Sequence, residues 1–396
     1  MSTGVLQQAR SSSVRVASID VFRGLTMAVM IFVNELASVR GLPWWNYHAP
    51  ANLNAITYPD LVFPFFLFAI GLSLPLAFRQ RIARGDSLLK LSRHVVERFA
   101  ALLVLGLILA NADLADLHTM KMSGNLWALL ALLSAALYLH VRPKQTGGEK
   151  LSRALRSAGL LALLLLLTLF RSKNGWLDGS YPEILGLIAY SYLACCLLYL
   201  PTRKLRLMPA LWIAAMLLLS VADAAQWINI HLPLYEWPFS NGSMCALIFA
   251  GVCISLLFTE ETRPRHPMLV SLAFAATCFT LAAALAPLGI SKVRATPTWT
   301  LASMGASILL FTLLYWICDQ QKMLTWSAPI HAAGANTLLT YLLPDLFYFA
   351  MGAAGITFFD QNWSAGLAGV AKSLLFTALI LALASLLTRA RVRLQL

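Results

Sequence analysis

Asp60-Leu61-Val62-Phe63-Pro64-Phe65-Phe66-Leu67-Phe68 opens a stretch that carries no charged residue before Arg79. That run is close to the roughly twenty apolar residues a helix needs to cross a bilayer, and it has no place on a water-soluble surface. Comparable runs recur in both directions from it. Hydropathy places helices near 17–39, 59–80, 94–113, 124–141, 153–170, 183–200, 208–224, 243–259, 267–287, 300–318, 332–353 and 368–388. The expected fold class is all-α: a polytopic integral membrane protein with about ten to twelve transmembrane helices.

Composition agrees with that class. Of the 396 residues, 59% are hydrophobic and 12% charged, whereas soluble domains carry roughly a quarter charged residues. The formal net charge is +13, but the basic residues fall in short clusters between apolar runs, which marks topology and argues against nucleic acid as a partner. With a cytoplasmic N-terminus, one cytoplasmic loop receives Arg79, Arg81, Arg84, Lys90, Arg93 and Arg98, and the next receives Arg142, Lys144, Lys150, Arg153 and Arg156. Arg203, Lys204 and Arg206 follow, then Arg389, Arg391 and Arg393. The opposite side receives only Arg40, Lys121, Arg171, Lys173, Lys292, Arg294 and Lys372. The expected layout is a cytoplasmic tail at 1–16 leading into an uncleaved first helix, a membrane domain at 17–388, and a cytoplasmic tail at 389–396. The bilayer is thus the first partner. The six cysteines lie within apolar runs without ligand spacing, so neither a disulfide framework nor a metal site is expected.

Ionisable groups inside membrane spans are costly and are functional candidates by default. Here they are Asp20 and Arg23 at the start of the first helix, Glu35 beside Asn34 towards its end, Asp60 at the start of the second, Asp223, and Asp345 after Pro344. Asp20 and Arg23 are three residues apart and share a helix face. They are either a structural ion pair or, for Arg23, a cation offered to a phosphate. Between the first two helices lie Pro43-Trp44-Trp45-Asn46-Tyr47-His48, then Asn52, Asn54, Thr57 and Asp60. Imidazole is the side chain best suited to proton or acyl transfer near neutral pH, although a loop histidine such as His48, read from the residues alone, is more often plain surface. Asp113, Asp116 and His118 read as a solvated loop.

Ser18-Ile19-Asp20-Val21-Phe22-Arg23-Gly24-Leu25-Thr26, then Met30-Ile31-Phe32-Val33-Asn34, His48-Ala49, Asn54, Thr57 and the Asp60–Phe68 run resemble the opening of the heparan-α-glucosaminide N-acetyltransferase family and its bacterial relatives. Gly334-Ala335-Asn336-Thr337-Leu338-Leu339-Thr340-Tyr341 resembles that family's late G-x-N-x-L-x-x-Y helix. The resemblance covers about a fifth of the chain. It implies a multi-pass protein of a bacterial inner membrane that moves an acetyl group from cytosolic acetyl-CoA to an amino sugar or glycan on the extracytoplasmic side. His48 and Asn34 match the family's functional histidine and asparagine, and Asp60 is placed to orient the imidazole or to start its helix. Arg23, Asp20 and Asn336 are expected on the side of the acetyl-CoA donor. A second copy of the chain, as a homodimer, is the remaining expected partner. Leu53 stands where the family has tryptophan, and Asn125-Leu126-Trp127-Ala128 replaces a basic, glutamine-containing stretch. The competing class is a secondary transporter or flippase, which embedded carboxylates would also suit.

Overall fold

Among the described residues, thirteen α-helices of eight residues or more carry the fold: α1 (Ala17–Leu36), α2 (Val62–Ala83), α3 (Leu88–Asn111), α4 (Gly124–Leu139), α5 (Glu149–Leu169), α6 (Glu183–Thr202), α7 (Met208–Ala224), α8 (Ser243–Thr259), α9 (Pro267–Ala284), α10 (Pro297–Tyr315), α11 (Ala328–Ala335), α12 (Thr337–Ala353) and α13 (Gly366–Arg389). They come from a computed structural model, which describes residues 16–140, 149–228, 240–260, 264–358 and 362–394. Arg142, Lys144 and nearly all of the 1–16 tail lie outside those residues. Among the described residues there is no β-strand beyond isolated bridges. Eight helical segments among the described residues are long and apolar enough to cross a membrane, and Gly124–Leu139, Met208–Ala224, Ser243–Thr259 and Thr337–Ala353 are shorter apolar helices. These segments coincide with the hydrophobic runs, and the protein is an all-α polytopic membrane protein.

Two boundaries differ from the hydropathy reading for identifiable reasons. The third helix starts at Leu88, six residues before the apolar run, because the Ser87 hydroxyl accepts from the Lys90 amide (3.3 Å) and Leu91 and Val95 bury one face of an amphipathic first turn. The run 332–353 is broken at Asn336, which leaves helical geometry (φ −132°, ψ 54°) between α11 and α12. The Asn336 carboxamide donates to the Val392 carbonyl (2.9 Å) and the Thr388 hydroxyl (3.2 Å) and accepts from the Leu394 amide (3.3 Å). A break within an apolar run is tolerable where polar groups find protein partners.

The centre of the bundle is aromatic. Phe22 of α1, Phe68 of α2 and Phe311 of α10 pack with ring centroids 5.5 to 6.4 Å apart, and Phe258 of α8 joins at 5.4 Å from Phe311. Such edge-on and tilted pairs add to the dispersion energy of close packing. α1 also meets α11 backbone to backbone. A methyl group on Gly24 would collide with the Ile330 carbonyl, and one on Gly334 with the Asp20 carbonyl. Small residues at such crossings let membrane helices approach closely. The two stretches that carry the family resemblance are therefore the two sides of one interface.

α1 is held at both ends. At its start, the Asp319 carboxylate, in a π-turn closing α10, accepts from the Ala17 and Ser18 amides at 2.8 and 3.0 Å. That satisfies two of the amides a helix start leaves without partners. At its far end, Tyr348 of α12 donates to the buried Glu35 carboxylate (2.7 Å), and Arg40 exchanges backbone hydrogen bonds with Ser364 and Gly366 at 2.8 Å each.

Candidate active site

The loop after α1 folds onto one carboxylate. Thr57 and Asp60 form a capping box at the turn that starts the second membrane segment: the Thr57 amide donates to Asp60 Oδ2 at 3.0 Å. Ala49 adds its amide to the same oxygen at 3.2 Å, and the Thr57 hydroxyl lies 2.9 Å from it. The other oxygen, Oδ1, takes His48 Nδ1 at 2.8 Å. Asp60 is fully buried, whereas the His48 side chain keeps 45% of its surface exposed. The Thr57 hydroxyl shares its one proton between Asp60 and the Tyr47 carbonyl at 2.8 Å, and the two amides and His48 Nδ1 are the donors that an ionised carboxylate demands. His48 Nδ1 must carry the proton, and its acceptor lone pair lies on Nε2.

A second loop, between α9 and α10, closes over this pair. Asn54 Oδ1 accepts from the Ile290 amide and from Arg294 Nη2, both at 3.2 Å. The same loop is anchored to the start of α8 by Asn241 and Ser243, which donate to the Ala295 carbonyl at 2.9 and 2.7 Å. Lys292 is thereby brought to 3.2 and 3.3 Å from the two ring nitrogens of His48. Burial pulls the Lys292 pKa below the ordinary lysine value, with Asp60 acting in the opposite sense. Sequence reading counted Lys292 and Arg294 only as topological charges. The available signal was their position, two cations on the side otherwise poor in them.

The opposite end of the bundle holds a cavity of about 260 Å³ lined by Arg23, Arg81, His94, Arg98, Tyr192 and Thr337, with Phe66, Ile70, Leu74 and Phe78 as its apolar wall. Arg23 donates to the Thr337 hydroxyl at 3.2 Å and stands 4.0 Å from Asp20, a loose pair that leaves much of the guanidinium to the cavity. Arg81 reaches His94 Nε2 at 3.0 Å, and Arg98 lies over the Tyr192 ring at 4.7 Å. The buried Nε of Arg98 has no hydrogen-bond acceptor. A buried donor left without one costs about 1–3 kcal/mol, so the cavity suits an anion. Arg81 and Arg98 were missed as site residues because they also fit the positive-inside pattern, and His94 drew no reading at all.

The remaining candidates fall in three places. Asn34 is exposed near the end of α1 and makes no hydrogen bond to His48. It lies eleven residues beyond Arg23, about 16 Å along a helix axis. Asn336 does not line the cavity, and its carboxamide is occupied by the segment after α13, although its neighbour Thr337 touches Arg23. Asp345 lies two turns beyond Thr337 on α12, on the face where Tyr341 donates to Glu183 at 3.3 Å. Among the described residues no group of three or more potential ligands could hold a metal ion.

A family model described as a domain of unknown function (DUF5009) matches residues 15–245, more than half of the chain. The chain belongs to that family. Its match takes in His48, Asp60 and the arginines of the cavity, and stops before the Lys292 loop and Thr337. Two curated proteins are similar over a shorter stretch. The heparan-alpha-glucosaminide N-acetyltransferase of Mus musculus is 39% identical over 104 residues, 26% of this chain and 15% of the mouse protein. The Homo sapiens protein of the same name is 36% identical over 99 residues, 25% of this chain and 14% of its own length. The aligned stretch is thus about a seventh of these relatives.

Proposed function

We propose that this protein is a transmembrane acetyltransferase, taking an acetyl group from acetyl-CoA on the cytoplasmic side and passing it to an amine or hydroxyl of a sugar or glycan on the other side. The observation that carries the reading is the His48–Asp60 pair at 2.8 Å, an exposed imidazole held in one tautomer by a buried carboxylate. The names of the relatives and the arginine-lined cavity at the other end of the bundle support it. In this reading Arg23, Arg81 and Arg98 hold the phosphates of the donor, since guanidinium matches phosphate oxygens. The reach of about 16 Å along α1 from Arg23 to Asn34 is left to the donor's flexible arm.

The chemistry follows from the site. His48 Nε2 takes the acceptor proton as nitrogen or oxygen attacks the thioester carbonyl, and Asp60 stabilises the imidazolium that forms. Asn34 supplies a hydrogen bond to the developing oxyanion. The C–S bond breaks, and the proton on His48 passes to the leaving thiolate. Both tails are cytoplasmic in this reading, the orientation the basic loops favour, and a bacterial inner membrane is the location the family resemblance implies.

The competing class, a secondary transporter or flippase, draws on one observation. Asp345 and Tyr341 of α12 face Glu183 inside the bundle, as the ion-coupling carboxylates of a carrier would. One assay separates the two readings. Purified protein in vesicles, with acetyl-CoA on one side and a panel of amino sugars on the other, should release free CoA and acetylated sugar. Movement of the unmodified sugar with no CoA release would replace the enzyme reading with the carrier.

A further inference from the structure

Lys292 stands in a position that its distance from any catalytic motif in sequence gives no reason to expect. Its Nζ is 3.3 Å from His48 Nε2. It is also 3.2 Å from Nδ1, so the amine lies beside the imidazole, nearly equidistant from both nitrogens and within reach of Nε2, the nitrogen that is not committed to Asp60. The placement is not a wandering side chain. The loop on either side of it is pinned by Asn54 to the His48 loop and by Asn241 and Ser243 to α8. The charged group acting on the amine is Asp60 behind the imidazole, and Arg294 of the same loop donates to Asn54. Burial favours the neutral amine, the nucleophilic form, and Asp60 opposes that only in part.

We propose that Lys292 is an internal acceptor: when the donor is loaded and no external amine fills the site, the acetyl group passes to Lys292 Nζ. The inference rests on the acetyltransferase reading. In the step, the Lys292 nitrogen attacks the thioester carbon and a C–N bond forms. His48 Nε2 takes the nitrogen's proton, the C–S bond breaks, and that proton goes to the CoA thiolate. The products are Nε-acetyl-Lys292 and CoA with its free thiol. The amide is uncharged and does not pass its acetyl group on to another amine. Acetylation therefore leaves the site blocked beside His48, and an external amine protects the enzyme by displacing Lys292 first.

The test uses the full-length purified protein, acetyl-CoA and peptide mass spectrometry. Incubation without an amine should add one acetyl group to Lys292 at least about tenfold faster than to the exposed Lys121 and Lys173, because proximity to donor and base makes the reaction intramolecular. Glucosamine should slow that labelling. His48→Ala and His48→Gln should reduce Lys292 to the rate of the two exposed lysines, the second variant covering a failure of the first to fold. Equal labelling of all three lysines, or an unlabelled Lys292 in a preparation that acetylates glucosamine, would overturn the proposal and leave the transfer reading standing. Failure to consume acetyl-CoA with or without glucosamine overturns both.

Discussion

His48 and Asp60 share one hydrogen bond, Nδ1 to Oδ1 at 2.8 Å, and the carboxylate's other oxygen is held by the amides of Ala49 and Thr57. The imidazole is therefore oriented by backbone that cannot rotate away. Asp60 thereby leaves Nε2 as the ring nitrogen not committed to the carboxylate.

From this geometry, His48→Ala should lower acceptor acetylation by about a hundredfold or more, the usual loss for a general base, while the protein remains folded. Asp60→Asn should cost a comparable factor, because an amide cannot accept at both positions that Asp60 fills. Asn34→Ala should cost about tenfold to a thousandfold, as expected for one oxyanion donor. Steady-state rates on detergent-purified protein check all three. A folded His48→Ala protein at wild-type rate would return the histidine to an ordinary loop residue.

The cavity makes a separate prediction about affinity. Arg23→Ala and Arg98→Ala should each weaken acetyl-CoA binding by about tenfold to a hundredfold, from the roughly 1.5–3 kcal/mol of a charge-assisted hydrogen bond. Calorimetric titration of the donor reads this directly. Unchanged affinity in both variants would make the arginines structural.

Topology can be read from accessibility. In a background lacking the native cysteines, Ser180→Cys should be labelled by an impermeant thiol reagent added outside cells, and Ser87→Cys should be protected. Both positions are exposed. Ser240, on a loop expected on the same side as Ser180, is buried and would report nothing. Labelling of position 87 alone inverts the proposed direction of transfer.

The α1–α11 crossing predicts a stability effect remote from chemistry. Gly24→Ala drives a methyl group into the Ile330 carbonyl, and overpacking of this kind costs about 1–3 kcal/mol. A lowered thermal midpoint in detergent, with donor affinity retained in the protein that remains folded, is the expected outcome. An unchanged midpoint would mean that the helices separate freely.

The helices were legible because bilayer thickness sets the length scale of the apolar runs, and every run maps onto one helix except 332–353, which holds α11 and α12. What hydropathy cannot register is a polar group whose partner is distant. The break at Asn336 depends on Thr388 and Val392, 52 and 56 residues later. Lys292 meets His48 across 244 residues. Arg81 and Arg98 were visible as charges, but a charge that orients a helix and one that lines a cavity look alike until α2 and α3 are placed beside α1. His48 and Asp60 lie only twelve residues apart, close enough for local chemistry to connect them.

The carboxylate that closes the start of α1 belongs to Asp319, 302 residues after Ala17. Ribosomes add about 5–20 residues per second, so α1 enters the bilayer roughly 15 to 60 seconds before its leading amides meet their partner. During that interval those amides are served by water or lipid headgroups. The helix carrying Arg23 and Asn34 is thus inserted well before the residue that completes its start has been made. A nascent chain halted before residue 319 would hold every residue of the His48–Asp60 pair and still lack the cap on α1.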